Sequence, residues 1–97
     1  MSHILKFEED ALVEWISLDK SVREPLKKKL SRRLLHPRVE NQRLRGPLKD
    51  CYKIKNDKTG HRLIYQVIDH DVVVLVLAIG KREDFEAYFA AEDRLNP

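Results

Sequence analysis

The stretch that decides the fold is Cys51-Tyr52-Lys53-Ile54-Lys55-Asn56-Asp57-Lys58-Thr59-Gly60-His61-Arg62-Leu63-Ile64-Tyr65-Gln66-Val67-Ile68. Apolar and polar residues alternate over residues 51–55, and a period of two predicts a β-strand with one buried face. Residues 56–60 combine Asn, Asp, Thr and Gly, which favour a turn, and β-prone residues resume over 61–68. The stretch therefore predicts a β-hairpin.

A further strand follows the hairpin. Residues 69–71 are Asp-His-Asp and predict a second tight turn, after which residues 72–79 are eight consecutive apolar residues. An unbroken apolar run of this length is typical of a strand that is covered on both faces. We expect it to be the central strand of the sheet and to end at Gly80.

The segment before the hairpin predicts a short strand and a first helix. Residues 3–7 are β-prone and short, as expected of a strand at the edge of a sheet. The acidic residues 8–10 then favour the start of a helix, because carboxylates interact well with its N-terminus. The apolar residues that recur at spacings of three and four, and so predict one packed stripe, are Ala11, Leu12, Trp15, Ile16 and Leu18.

A second helix is expected to begin at Asp19 or Ser21. Ser21 and Glu24 have the spacing of a capping box, and Pro25 is expected in or near the first turn, where its missing N–H costs least. The predicted buried stripe consists of Val22, Leu26, Leu30 and Leu34. His36-Pro37 should end the helix. Two amphipathic helices with a short connection predict an antiparallel helical hairpin.

The C-terminal residues predict one more helix and a loose end. Residues 83–91 have helical composition, with Phe85, Tyr88 and Phe89 on one face. Residues 94–97 are expected to form a fraying tail.

Charge is segregated along the chain. Residues 20–62 contain fifteen Lys and Arg against four Asp and Glu, a local charge of +11, while the remaining residues have a local charge of −8. A cationic middle predicts an acidic partner, either nucleic acid or an acidic protein. A solvated helix face without a partner is the alternative interpretation of the same charges.

Several classes of protein are disfavoured by composition. The chain has no run of about 18 uncharged apolar residues and no signal-like apolar segment at its start, so we expect a soluble cytoplasmic protein. Its single cysteine, Cys51, cannot form an internal disulfide, and its four histidines lack metal-ligand spacing. We expect neither a structural metal nor a cofactor.

The predicted strands collect cations on one surface. Alternation directs Lys53 and Lys55 to the same face, Arg62 lies opposite them across the hairpin, and Arg82 follows the buried strand at its rim. These cations repel one another, and an oligoanionic ligand would relieve the repulsion. The alternative is that they only keep the sheet soluble. If the chain is an enzyme, lysine or arginine must act as its acid and base, because no Ser-His-Asp arrangement or glycine-rich phosphate loop is present.

These residues also carry a resemblance. The segments at residues 51–55, 60–69 and 76–83, with Tyr88 beyond them, resemble the RelE family of toxin–antitoxin ribonucleases. The N-terminal half is similar too, at Trp15, at residues 22–30 and at Leu44-Arg45-Gly46. The resemblance spans nearly the whole chain, so it implies a single RelE-like domain over residues 1–97.

The fold that the resemblance implies is α+β. An N-terminal strand and a helical hairpin pack on a mainly antiparallel four-stranded sheet, and a short C-terminal helix follows. The implied activity is cleavage of mRNA in the ribosomal A site without a metal, by attack of a ribose 2′-hydroxyl on the adjacent phosphate.

The resemblance also implies a role for individual residues. Lys55 matches the general base, Arg82 the general acid or leaving-group stabiliser, Arg62 the phosphate clamp and Lys53 a further transition-state cation. Tyr88 matches the aromatic residue that stacks on the target base. The basic residues expected to bind RNA around the site are Arg45, Lys27, Lys28, Arg32 and Arg33.

The implied partners are a RelB-like antitoxin and the ribosome with its mRNA and ribosomal RNA. Operator DNA would be contacted only through the antitoxin, and no membrane is involved. Two alternatives from other classes stay open. One is a ParE-like toxin that poisons gyrase, and the other is an RNA-binding module without enzymatic activity.

Overall fold

A computed structural model describes residues 2–96, with the backbone alone at Asp84, so Pro97 of the expected tail lies outside the described residues. The strands and helices are β1 (Ile4–Phe7), α1 (Glu9–Ile16), α2 (Lys20–Leu35), β2 (Cys51–Asn56), β3 (His61–Ile68), β4 (Val73–Lys81) and α3 (Glu86–Leu95). The four strands form one sheet in the order β1-β4-β3-β2. β1 is parallel to β4 and the other two pairs are antiparallel, so the sheet is mixed, in agreement with the mainly antiparallel sheet expected.

The sheet has a hydrophobic cluster on each face, which confirms that β4 is central and covered on both sides. On one face α1 and α2 pack over a cluster that includes Leu26, Tyr52 and Tyr65. On the other face α3 packs over a cluster that includes Cys51 and Leu77. β4 does not end at Gly80 as expected. It continues to Lys81 because the backbone of residue 80 still pairs with β3.

The first helix buries a narrower stripe than its sequence predicts. Ala11 is fully buried and Trp15 is partly buried against the core, but Leu12 and Ile16 are 45% and 64% exposed. α1 has eight residues and contacts mainly β4, so only one line of its side chains meets the sheet. The expectation of a wider packed stripe was wrong for these two residues.

The second helix packs as predicted and begins at Asp19, one of the two expected starts. Val22, Leu26 and Leu30 are buried, and the helix ends at Leu35 with His36 as its C-cap. Its N-cap is Asp19, so Ser21 already lies inside the first turn and the expected capping box is not formed. Pro25 lies in the second turn, beyond the expected first turn, on an exposed part of the helix.

The C-terminal helix corrects two expectations. Its buried side chains are the alanines Ala87 and Ala91, and Tyr88 packs partly, while Phe89 and Phe85, which directly precedes the helix, are each 60% exposed. Arg94 is not part of a fraying tail. Its guanidinium is 2.7 Å from Glu14 Oε1 and donates to the carbonyl of Leu77 at 2.9 Å. No helix in the described part of the chain is long and apolar enough to cross a membrane.

Candidate functional site

Three positions in a row across the sheet form the centre of the candidate site. Lys55 on β2 pairs with Arg62 on β3, and Arg62 pairs with Gly80 on β4. Lys53 is two residues from Lys55 on the same face of β2, and both are half-buried while the intervening Ile54 is fully buried. The register therefore brings Lys53, Lys55 and Arg62 together, as the alternation predicts.

Arg62 is unusual because it is a charged residue with only 6% of its surface exposed. One guanidinium nitrogen donates to the carbonyl of His61 at 3.1 Å, and the other lies 3.8 Å from Asp57 Oδ1 in the hairpin turn. A separation of 3.8 Å is long for an ion pair, so an incoming phosphate could replace this carboxylate. A largely desolvated guanidinium also interacts more strongly with an anion than an exposed one.

Arg82 is exposed and directly follows β4, next to the hairpin turn. Its backbone N–H donates to the carbonyl of Gly60 at 2.7 Å, which ties residue 82 to the turn between β2 and β3. Gly60 has φ +80°, a conformation that glycine adopts without strain. The turn therefore holds the backbone of Arg82 near the end of the hairpin that carries Lys55 and Arg62.

α3 covers the same face of the sheet and carries Tyr88. The ring of Tyr88 is half-buried against the second cluster and lies 6.0 Å from the ring of Phe85 in an edge-to-face arrangement. Gly80 permits this close packing, because a Cβ at residue 80 would lie 3.2 Å from the backbone nitrogen of Ala87. Gly80 is also the neighbour of Arg62 in the sheet, so the start of α3 lies beside Arg62 and Lys55.

The basic residues expected around the site have different environments. Lys27, Lys28 and Arg32 are exposed on α2. Arg45 is exposed in a separate cleft of about 360 Å³, which is lined by Glu40, Arg43, Leu44, Arg45, Gly46 and Lys49.

Arg33 is instead half-buried and donates to the carbonyl of Lys53 and to the hydroxyl of Tyr65, both at 3.0 Å. Lys29, which was not among the predicted site residues, donates to the carbonyl of Lys55 at 2.5 Å. Lys29 and Arg33 are four residues apart beside the buried stripe of α2, and this spacing is the sequence signal for their shared direction. A cleft of about 250 Å³ joins them to the strand and is lined by Lys29, Arg32, Arg33, Gln42 and Lys55.

Two other side chains that could be reactive, Cys51 and His61, have pKa values shifted by burial. Burial raises the pKa of the Cys51 thiol to about 12. Burial, and then the nearby charge of Lys81, lowers the pKa of His61 below its ordinary value. Among the side chains that the structure describes, no three His, Cys, Asp or Glu groups come close enough together to hold a metal ion.

The known proteins that this chain resembles are toxins. Residues 5–84 match the family model described as the ParE toxin of the type II toxin–antitoxin system parDE. The mRNA interferase toxin RelE of Escherichia coli K12 is 53% identical over 95 residues, which cover 98% of this chain and 99% of the relative. The mRNA interferase RelE of Shigella flexneri matches to the same extent.

Solved structures agree with these matches. A mutant of E. coli toxin RelE in the free state superposes with a TM-score of 0.89 at 52% identity, covering 97% of this chain and 98% of that one. The toxin in the intact E. coli RelBE toxin–antitoxin complex superposes with a TM-score of 0.81 at 54% identity, covering 84% and 99%.

Proposed function

This chain belongs to the RelE family of type II toxins, and we propose that it is an endoribonuclease that cuts mRNA in the ribosomal A site. The relatives that match nearly its whole length are mRNA interferases, and the RelBE complex supports neutralisation by a RelB-like antitoxin. The observation that carries the proposal is the adjacent pairing of Lys55 and Arg62, with Lys53 on the same face. Such a row suits one phosphate of an RNA backbone.

The proposed reaction is attack of a ribose 2′-hydroxyl on the adjacent phosphate, which forms a 2′,3′-cyclic phosphate as the bond from phosphorus to the 5′-oxygen of the next nucleotide breaks. Lys55, as the neutral amine, acts as the general base that takes the hydroxyl proton and becomes an ammonium, and Arg62 clamps the phosphate. Lys53 adds a cation that stabilises the phosphorane, on which negative charge accumulates. Since the side chains proposed to act on the phosphate are lysines and arginines, which are not metal ligands, we propose that the reaction needs no metal.

Arg82 completes the proposed site at the leaving group. Its backbone is held by Gly60 while its side chain remains exposed and able to reach a substrate. Because an arginine pKa exceeds about 12, Arg82 acts chiefly by electrostatic stabilisation of the leaving oxygen.

Tyr88 positions the substrate by stacking on the target base, an interaction worth about 1 to 3 kcal/mol. Arg45 supports the RNA from the neighbouring cleft. The exposed cations Lys27, Lys28 and Arg32 grip ribosomal RNA, and Arg33 lies at the edge of this surface.

The proposal also extends to the setting of the reaction. Action on ribosomes requires a cytoplasmic protein. The RelB-like antitoxin would supply the contacts to operator DNA, so the toxin itself needs no DNA-binding site.

The test is cleavage of a defined mRNA, naked or on stalled ribosomes, by the wild type and by Lys55→Ala and Arg82→Ala. Lys20→Ala is the matched control, since Lys20 is an exposed cation at the start of α2. We expect cleavage on ribosomes only, with a 2′,3′-cyclic phosphate at the new 3′ end. Both site variants should lose at least about 100-fold in rate, because each removes a charge that acts in the transition state.

The alternatives predict other outcomes. A gyrase poison, which the ParE family model favours, would cleave no mRNA and would inhibit DNA supercoiling. An RNA-binding module without activity would bind ribosomes and lose only modest affinity in Lys55→Ala. Either result, with folded wild-type protein, would overturn the proposed nuclease.

A further inference from the structure

β2 is an edge strand of the sheet, next to β3. Hydrogen-bond donors from α2 and from the segment before β2 bind the carbonyls along its outer edge. In an antiparallel pair, alternate residues direct their carbonyls away from the partner strand, and on β2 these are residues 51, 53 and 55. The carbonyl of Cys51 accepts from the backbone N–H of Leu44 at 2.9 Å. The carbonyls of Lys53 and Lys55 accept from Arg33 and Lys29. Each of the three outward carbonyls therefore has a donor.

The Arg33 contact is part of a longer chain of hydrogen bonds. The hydroxyl of Tyr65 accepts from Arg33 and donates to the carbonyl of Pro37 just beyond the end of α2. The guanidinium carbon also lies 5.9 Å from the centre of the Tyr65 ring. Tyr65 is fully buried, so this chain fixes Arg33 against the core as well as against β2.

We propose that Lys29 and Arg33 are positioning residues, which hold the backbone of Lys53 and Lys55 in place for the reaction. This inference rests on the proposed nuclease function. An edge strand has hydrogen bonds on one side only, and without these two side chains its last residues would be free to shift. A shift of about 1 Å at a reacting group can reduce a rate about 100-fold. Lys29 is exposed like Arg32, but Lys29 and Arg33 donate to carbonyls of β2, and in this they differ in role from Arg32.

The test compares Arg33→Met and Lys29→Met with two other variants of α2. Arg23→Met is the matched control, because Arg23 also donates to a backbone carbonyl, that of Leu18 at 3.2 Å, but at the connection between α1 and α2. Arg32→Met removes an exposed cation of the proposed RNA surface. Steady-state cleavage at varied concentrations of programmed ribosomes gives kcat and KM, and NMR relaxation gives order parameters for the amides of residues 53 and 55.

Positioning predicts a specific combination of results. Arg33→Met and Lys29→Met should each reduce kcat about 10-fold with little change in KM, and the order parameters should fall from about 0.85 toward 0.6. Arg33→Lys, which keeps a donor, should recover most of kcat. Arg23→Met should change neither quantity, and Arg32→Met should raise KM alone.

Other results would overturn the inference. If Arg33→Met and Lys29→Met raise KM as Arg32→Met does, with kcat intact, the two residues are RNA contacts. If they lower only the melting temperature, with unchanged order parameters, their role is general stability. Should the wild type cleave nothing on ribosomes, the proposed function fails by itself, and the order parameters still decide whether these residues hold the strand.

Discussion

The ion pair between Arg94 and Glu14 should hold the C-terminal helix firmly in the fold. Removing this ion pair should lower the free energy of unfolding. The guanidinium of Arg94 donates to both carboxylate oxygens of Glu14, at 2.7 and 2.9 Å, and to the carbonyl of Leu77 at 2.9 Å. Glu14 Oε1 also accepts from the backbone N–H of Ile79 at 3.0 Å. One ion pair therefore joins α1, the central strand β4 and the last turn of α3.

The expected magnitude follows from the burial of the pair. The side chains of Arg94 and Glu14 are 16% and 31% exposed. Breaking a fully buried pair costs about 3 to 5 kcal/mol, whereas an exposed pair contributes about 0 to 1 kcal/mol. For Arg94→Met, which replaces the unbranched aliphatic stem of the side chain but not its guanidinium, we expect a loss of about 2 to 3 kcal/mol in the free energy of unfolding. In a domain of this size such a loss lowers the melting temperature by about 10 to 20 °C.

The measurement is urea unfolding of Arg94→Met, Glu14→Gln and the double variant, which together give the coupling energy. We expect coupling of at least about 1 kcal/mol. The control is Arg43→Met, because the pair of Arg43 with Glu40 spans 3.3 Å but is 41% and 77% exposed, and its loss should cost under about 0.5 kcal/mol. A loss in Arg94→Met as small as that in Arg43→Met would refute the reasoning.

Three further predictions follow from single residues. Gly80→Val should lower the free energy of unfolding by about 1 to 3 kcal/mol in urea titrations, because its Cβ would meet Ala87 and push α3 outward. Cys51 should react with a thiol reagent at pH 8 only as fast as the protein unfolds, since the side chain is fully buried and burial raises the pKa of its thiol to about 12. Val72→Gly should raise the melting temperature, because φ is +55° at this β-branched residue and glycine relieves about 1 kcal/mol of strain. A lower melting temperature would show that the lost side chain matters more than the strain.

The hairpin and its cations were predictable because alternation determines both the face and the register of a strand. Once residues 51–55 and 61–68 are paired around the turn, Lys55 must lie close to Arg62, whatever packs elsewhere. The central position of β4 followed in the same way from its unbroken apolar run. Both features follow from the order of apolar and polar residues within a strand, which determines the face of each side chain wherever the strand lies.

The helices were less predictable because their packed face depends on distance to the sheet. The hydrophobic pattern placed Phe85, Tyr88 and Phe89 on one face, but the close approach at Gly80 puts Ala87 and Ala91 against the sheet and leaves only Tyr88 of the three partly packed. The long-range contact of Arg94 with Glu14 spans eighty residues in sequence and has no local signal. The roles of Lys29 and Arg33 were hidden for a similar reason, since charged residues on a helix are usually assigned to solvent.

The charges that are segregated along the sequence are also separated in space, because the cationic and the acidic elements pack against different strands. The cationic residues 20–62 comprise α2, the connection that follows it and the β2–β3 hairpin. α2 packs against β2, and Arg43 of the connection forms a β-bridge with Tyr52. The acidic helices α1 and α3 instead contact β4, toward the other edge of the sheet.

The outer edge of β2, together with α2 beside it, is therefore the positive pole of the molecule. A protein with such a charge distribution approaches a polyanion with its positive edge first, and this orientation is lost as salt screens the field. In the proposed function that edge carries Lys53 and Lys55, so the field that attracts ribosomal RNA also presents the catalytic strand. The repulsion among these cations is then a cost that RNA binding relieves, and Lys29 and Arg33, which donate to the carbonyls of Lys55 and Lys53, add their charges to the same edge.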